Sequence, residues 1–415
     1  MTIIVASIPL FLILIAVELW FDKKRGTHYY RFNDAINSLS LGILSRFTGV
    51  LKSLLPLSIY VAIYQEFALF ELPSNSVWVW LFAFIIYDLA YYWVHRLNHR
   101  IHVMWGSHVV HHSSEEYNLT TALRQTSTPS LLAWLVYLPL AFIGVDPIVF
   151  IACASLNLVY QFWVHTRHVN KMPAWFEAIM VAPSHHRVHH ALNRDYIDKN
   201  YAGVFIVWDK VFQSFQAEKE GIDIVYGVSH QLKSWNPFWA NLQVYWNLLK
   251  DAYWAKGFKD KWKVFFMPPG WRPTDVNEAH PRSYATTKTM KKYDVSLSGP
   301  MKRYIFIQFL IMMVLTVTFL LQVASLPLDN LVLICLLASA SLIMISGLQE
   351  LKSWTIWGEP IRLMFVSVVF YILLAPIVKI HFTSYLVAIT LLELGYFYIV
   401  TKHNMENTGQ LTSES

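Results

Sequence analysis

Apolar runs long enough for membrane-spanning helices recur near residues 3–20, 47–66, 77–95, 130–144, 147–165, 304–323, 330–347, 361–379 and 384–400. A helix needs roughly 20 apolar residues to cross the hydrocarbon of a bilayer. The pattern therefore predicts about nine spans, the fourth being short enough to form one arm of a hairpin turning at Gly144–Pro147. The first run lacks a basic segment before it and is followed by Lys23, Lys24 and Arg25, so it reads as a retained span.

Charge orients these spans. If the runs alternate, Lys23, Lys24, Arg25, Arg31, Arg46, Arg96, Arg100, Arg124, Arg167, Lys302, Arg303, Lys352, Arg362 and Lys402 all fall on one side. The opposite turns, around 67–76, 144–147 and 324–330, contain no Lys or Arg, and only Lys379 sits at an outer end. The positive-inside rule then puts the N-terminus outside and the C-terminus in the cytoplasm. Composition agrees with a polytopic membrane protein, since charged residues are only 14% and aromatics reach 16%. The net charge of +6 suits loops on an anionic leaflet, and nothing points to nucleic acid. Cys153 and Cys335 lie inside apolar runs far from any CxxC pattern and read as inert core thiols.

Along the chain, residues 1–76 form N-terminal membrane spans and 77–218 the domain that holds the histidine clusters. Residues 219–303 form a polar cytoplasmic connector, 304–403 a C-terminal four-span bundle and 404–415 a tail. The fold class is all-α: a polytopic helical membrane protein whose cytoplasmic, histidine-rich helical cap holds two metals.

That cap is where the chemistry concentrates. Twelve of the seventeen histidines fall between His95 and His190. Residues three and four apart share a helix face. His95 and His99, then His108, His111 and His112, then His186, His189 and His190 can each aim imidazoles at one place, and His165 at a helix end is a ninth candidate. Eight or nine imidazoles exceed one tetrahedral or octahedral centre, so two metals are implied. All-nitrogen ligation suits Fe, Zn or Cu. His102 and His168 lie off these faces. Every cluster reaches the same side of the membrane, whereas a transporter holds its ligands near the midplane.

Other polar residues are candidates for supporting roles. Asp88 lies about 10 Å along the axis from His95. It is placed to orient a histidine of a neighbouring helix, or to make a plain interhelical hydrogen bond. Asn157, Gln161 and His165 form a similar stripe, and Ser184 reads as an N-cap for the helix of His186. In the 113–128 stretch, Glu115, Asn118, Arg124 and Gln125 are candidates for binding a polar headgroup or a reductant, against a solvated connector, which the sequence favours. Residues 196–217 are aromatic and amphipathic and suit a segment along the membrane interface. Glu350, Glu359 and Arg362 fall in the turn between spans seven and eight and read as a solvated loop, with a roof over a lipid entrance as the alternative.

The motifs HRLNH from His95, HVVHH from His108 and HRVHH from His186 resemble the fatty acid hydroxylase/sterol desaturase superfamily of membrane di-iron oxygenases. More narrowly, HHSSEEYNLTTALRQ from His111, YQFWVHT from Tyr160, PSHHRVHH from Pro183 and DKNYAGVFIVWDKVFQSFQAE from Asp198 resemble its alkylglycerol monooxygenase family. The resemblance implies two iron ions, O2 and tetrahydrobiopterin, or another pterin or electron donor, as external reductant. It also implies hydroxylation of the carbon beside the ether oxygen of an alkylglycerol or ether lipid, with release of a fatty aldehyde and a glycerol derivative. Asp88, Glu115, Asn118 and Arg124 are the expected catalytic residues beside the nine histidines. Arg100 departs from the family, which has Glu after the second histidine of the first motif.

Two alternatives remain at this stage: another lipid or sterol hydroxylase or desaturase on the same scaffold, and a non-catalytic membrane metal transporter or sensor. The sequence leaves the oligomeric state open. An integral membrane location follows, with the site on the cytoplasmic face of a bacterial inner membrane or a eukaryotic endoplasmic reticulum.

Overall fold

Long apolar runs fold as long helices. The computed structural model describes residues 2–52, 54–128, 133–374 and 382–413. The helices are α1 (Thr2–Arg25), α2 (Phe32–Lys52), α3 (Leu54–Phe67), α4 (Val77–Arg100), α5 (His102–His112) and α6 (Leu119–Ala122). A 3-10 turn at Ala133–Tyr137 leads into α7 (Leu138–Ile143), then α8 (Pro147–Trp163), α9 (Ala174–Ile179), α10 (Pro183–His189) and α11 (Val207–Val211). There follow α12 (Pro237–Trp254), α13 (Phe258–Phe266), α14 (Thr274–Ala279), α15 (Gly299–Gln322), α16 (Leu328–Gln349), α17 (Thr355–Leu374) and α18 (Phe382–Ser413). Among the described residues the only β pairing is two isolated bridges, Met180 with Phe205 and Ala191 with Tyr226.

The expected nine spans are reduced. Among the described residues six helices are long and apolar enough to cross a membrane: α1, α4, α15, α16, α17 and the Thr383–Lys402 part of α18. A seventh exists if α2 and α3, bent by 52°, make one broken span. From Ala133 onward, the run at 130–144 is a 3-10 turn and a six-residue helix. That at 147–165 is a 17-residue helix, about 25 Å long against a hydrocarbon core of roughly 30 Å. Both are apolar but shorter than the six helices above. The start of the 130–144 run and the end of the 361–379 run lie outside the described residues, as does the last part of the expected tail.

The chain turns between α7 and α8 at Gly144–Pro147, as expected. Gly144 ends α7 with φ +102°, and an added Cβ would lie 2.0 Å from the carbonyl oxygen of Phe70, so only glycine fits.

The chain forms two compact units. The first comprises residues 1–31, 49–233 and 239–292; the second comprises 32–48, 234–238 and 293–415. This cuts across the linear division at 76, 218 and 303, because much of α2 belongs with the C-terminal helices. In the first unit α4 packs on α5 and α8, and α1 packs on α8. Tyr60, Ala83, Tyr87, Val149 and Cys153 form a core there. In the second unit α16 packs on α17, and α17 on α18.

The second unit also corrects the expected loop at 350–362. Glu359 and Arg362 lie inside α17 and are buried. Arg362 donates to both oxygens of Glu359, at 2.6 and 2.7 Å, and to Gln308; the Tyr304 hydroxyl donates to Glu359 at 2.7 Å. A buried ion pair needs such additional hydrogen bonds to offset its desolvation. Glu350 accepts from Ser234 and from the amide of Trp235.

Candidate metal centre

The histidine spacings become geometry through helix ends. Helix α4 stops at Arg100, Ile101 is extended at φ −120°, and α5 starts at His102. That one-residue corner turns the His95/His99 face toward His108 and His112. His165 follows the end of α8, and α10 with its C-cap supplies His186, His189 and His190.

Nine imidazoles resolve into two groups. His95, His99, His108, His112 and His189 offer ligand nitrogens all within 4.8 Å of one another; so do His111, His165, His186 and His190. All nine candidate ligands from the sequence fall in these two groups. His102 and His168 stand apart, the latter beside Arg25 and Tyr29.

The tautomers are fixed from behind. A carbonyl only accepts, so an Nδ1 bonded to one must carry the proton. His95 Nδ1 donates to the Tyr201 carbonyl at 2.6 Å, and His189 Nδ1 to that of Lys199 at 2.9 Å. In the second group, His111 Nδ1 donates to the Arg124 carbonyl at 3.2 Å and His165 Nδ1 to that of Gln161 at 2.7 Å. Each Nε2 then presents a lone pair to its group, the orientation that metal-bound histidines show. Two such lone pairs, on His111 and His165, lie 3.2 Å apart. Without a cation between them they repel; two bonds of about 2.1 Å to one ion set their ends roughly 3.0–3.4 Å apart. The residues fit a metal, and an all-imidazole donor set fits iron.

Burial keeps these ligands neutral. His108, His112, His186 and His190 are held well below the usual histidine range, first by desolvation and then by neighbouring imidazoles. Desolvation also lowers His111 to about 4 and His189 to about 3.

The expected supporting residues sit further out. Asp88 accepts from Asn157, from the amides of Val204 and Phe205 and from the Trp208 indole, at 2.7–3.0 Å. These partners include no histidine, so Asp88 clamps the segment that supplies the Tyr201 carbonyl. Gly203 permits the approach, since a Cβ there would lie 2.9 Å from Asp88 Oδ1. Glu115 pairs with Arg31 and accepts from Gln231. Asn118 caps α6, its oxygen accepting from the Thr120 amide, and donates to the Tyr29 carbonyl. The Arg124 side chain donates to the Val110 carbonyl and to Ser113, bracing the end of α5.

Three expectations change here. Ser113 to Ala122 and Arg124 are buried, with Leu123 half-buried, so this stretch is part of the wall around the site and not a solvated connector. The 196–217 segment is largely packed into the protein. Tyr196, Tyr201, Val204, Ile206 and Asp209 are buried, and Asp209 accepts from the amides of Tyr201 and Ala202. Ser184 is not the N-cap; Ala182 is, and the Ser184 hydroxyl donates to Glu177 at 2.7 Å.

Sequence reasoning missed the carbonyls of Lys199 and Tyr201, which residue type cannot signal. It also missed Tyr117, stacked on His165 and donating to the Val164 carbonyl, and Arg187, held between Glu218 and three carbonyls in the ligand helix α10. A cavity of about 290 Å³ opens against His99, His112, His189 and His190.

Two imidazole cages therefore lie at the end of apolar helices. The fatty acid hydroxylase family matches residues 80–214, which contain every one of these histidines. Alkylglycerol monooxygenase of Homo sapiens is 39% identical over 74% of this chain and 68% of its own length. The Xenopus tropicalis and Danio rerio enzymes of the same name are each 38% identical over 73% of this chain and 67% of theirs. The chain belongs to the alkylglycerol monooxygenase family, a family of oxidoreductases. No solved structure shows a significant match.

Proposed function

We propose that this protein is a di-iron ether-lipid monooxygenase. Its relatives act, by name, on alkylglycerols, and the substrate here is an alkylglycerol or related ether lipid. The observation that carries the reading is the pair of all-imidazole groups with lone pairs fixed toward each centre. One iron is held by His95, His99, His108, His112 and His189, and the other by His111, His165, His186 and His190.

The reaction takes O2, two electrons and two protons. One oxygen atom enters the C–H bond beside the ether oxygen and the other leaves as water. The resulting hemiacetal breaks its second C–O bond to give a fatty aldehyde and a free glycerol hydroxyl. Iron supplies the oxygen activation, and a tetrahydropterin supplies the electrons. The chain's own residues hold the imidazoles in one tautomer, exclude water by burial and leave the cavity for one end of the lipid. Asp88, Asn118 and Arg124 act as positioning residues; Glu115 braces the same wall through Arg31.

Arg100 donates to Asp198 at 2.7 Å, and Asp198 borders the cavity with an oxygen 3.9 Å from His99 Nδ1. Where the family has Glu, this chain thus makes an ion pair at the cavity mouth, a feature that bears on substrate or reductant choice. The site faces the cytoplasm, a reading supported by the basic residues that flank it.

The test uses purified protein in lipid nanodiscs. About two irons per chain, O2 uptake dependent on alkylglycerol and tetrahydropterin, and fatty aldehyde as product are expected. A hydroxylated or unsaturated lipid without aldehyde would move the assignment to another lipid hydroxylase or desaturase. Bound metal with no O2 uptake would move it to a metal carrier or sensor.

A further inference from the structure

Helix α12 has an exposed apolar outer face. Its outward face carries Trp239, Leu242, Trp246, Leu249 and Tyr253, three and four residues apart and all exposed. Its inward face carries Ala240 and Leu248 together with Asn241, Gln243 and Asp251, all buried. In water such a helix is costly on the outside, where indole and leucine surface stays wet. Against hydrocarbon that cost disappears, and Trp and Tyr are the residues that favour the membrane–water boundary.

Helix α13 repeats the pattern. Phe258, Trp262 and Phe266 are exposed at four-residue spacing, exposed Lys259 and Lys263 flank them, and Val264 is buried on the other side. Lysines beside an aromatic face match the anionic headgroups of a leaflet. Lys261 Nζ donates to the carbonyls of Ala252 and Tyr253 at 3.0 and 3.2 Å, tying the two helices together. Helix α13 packs on α5, which carries His108, His111 and His112.

The cavity lies between these parts. Val244 and Asn247 of α12, and Pro268 to Gly270 just past α13, line it together with His99, His112 and His189. We propose that α12 and α13 lie in the headgroup layer of the membrane with their aromatic faces in the lipid. The cavity is then a lateral entrance through which the lipid substrate reaches the five-histidine group. The entrance rests on the ether-lipid reading above; the placement of the helices does not.

Two independent measurements test the two halves. In the full chain in phosphatidylcholine–phosphatidylserine vesicles, nitroxide labels are placed by Trp246→Cys, Tyr253→Cys and Trp262→Cys, with exposed Lys288→Cys as control. Native Cys153 and Cys335 are buried. At the first three sites collisions with O2 should exceed those with a water-soluble nickel chelate, and at position 288 the order should reverse. Labels that meet the chelate as freely as the control overturn the placement. Labels shielded from both reagents overturn it too, and show a protein or a second copy on this face.

For the entrance, Val244→Trp should lower kcat/KM for a vesicle-borne alkylglycerol by about tenfold, the scale of a filled apolar pocket, with iron content unchanged. Val244→Leu should lower it less. An iron-loaded Val244→Trp enzyme with unchanged kcat/KM overturns the entrance. If the wild type oxidises no ether lipid, the proposed function fails, while the labels still decide where the helices lie.

Discussion

Nε2 of His111 and Nε2 of His165 face each other at 3.2 Å, and each ring has its Nδ1 proton committed to a backbone carbonyl. Both facing atoms therefore carry lone pairs, and only a cation makes the contact favourable. His165→Ala should weaken iron retention at least about tenfold and abolish turnover, whereas His168→Ala should keep both. Iron per chain after dialysis against a chelator decides it. Equal retention in the two variants would remove His165 from the metal set.

Acid should loosen the metal-free protein. The folded-state values of about 4 for His111 and about 3 for His189 lie below the ordinary 6.5. As pH falls, the unfolded chain binds protons first, so stability is full above 6.5 and drains as pH drops toward those lower values. The apoprotein should unfold at a lower temperature at pH 5 than at pH 7.5. A thermal scan across that range checks the sign; equal melting temperatures would contradict buried neutral imidazoles.

Asp88 should matter through the backbone it clamps. Asp88→Ala leaves the amides of Val204 and Phe205 buried without their acceptor, a loss of about 3 kcal/mol. Asp88→Asn keeps one acceptor oxygen and should lose less. Thermal unfolding ranks the two, and chelator-driven iron loss should follow the same order. If Asp88→Ala unfolds like the wild type yet is inactive, Asp88 takes part in the chemistry directly.

The C-terminal unit should be separable from the metals. Glu359→Ala strands the buried Arg362 guanidinium, which costs about 3 kcal/mol or more. Iron per chain should stay at the wild-type level in the folded fraction, because none of the nine ligands belongs to that unit. Loss of iron from folded protein would place the C-terminal helices in the metal site.

The histidine clustering was legible because its signal is local. Helical spacing brings His108, His111 and His112 to one end of α5 whatever surrounds it, and the same holds for His186, His189 and His190. The number of spans was less legible, because length and packing are not local signals. Residues 147–163 are as apolar as a span, but form a 17-residue helix packed on α4. The 196–217 segment misled for a related reason: its aromatic residues pack inward on α4, a fact set by the partner. The carbonyls of Lys199 and Tyr201 had no signal, since every residue has one. Conversely, the segment read as a polar connector holds α12 and α13, whose apolar residues are diluted among charges and stand out only once they share a face.

Helix α5 sends His108 and His112 to one group and His111 to the other, while α10 sends His189 to the first and His186 and His190 to the second. The two cages are therefore interleaved on the same two short rods. One ion cannot be withdrawn while its rods keep their pitch without leaving the neighbouring cage's own rods strained or loosened. If both groups take metal, as proposed above, their loading and loss should be coupled through these shared rods.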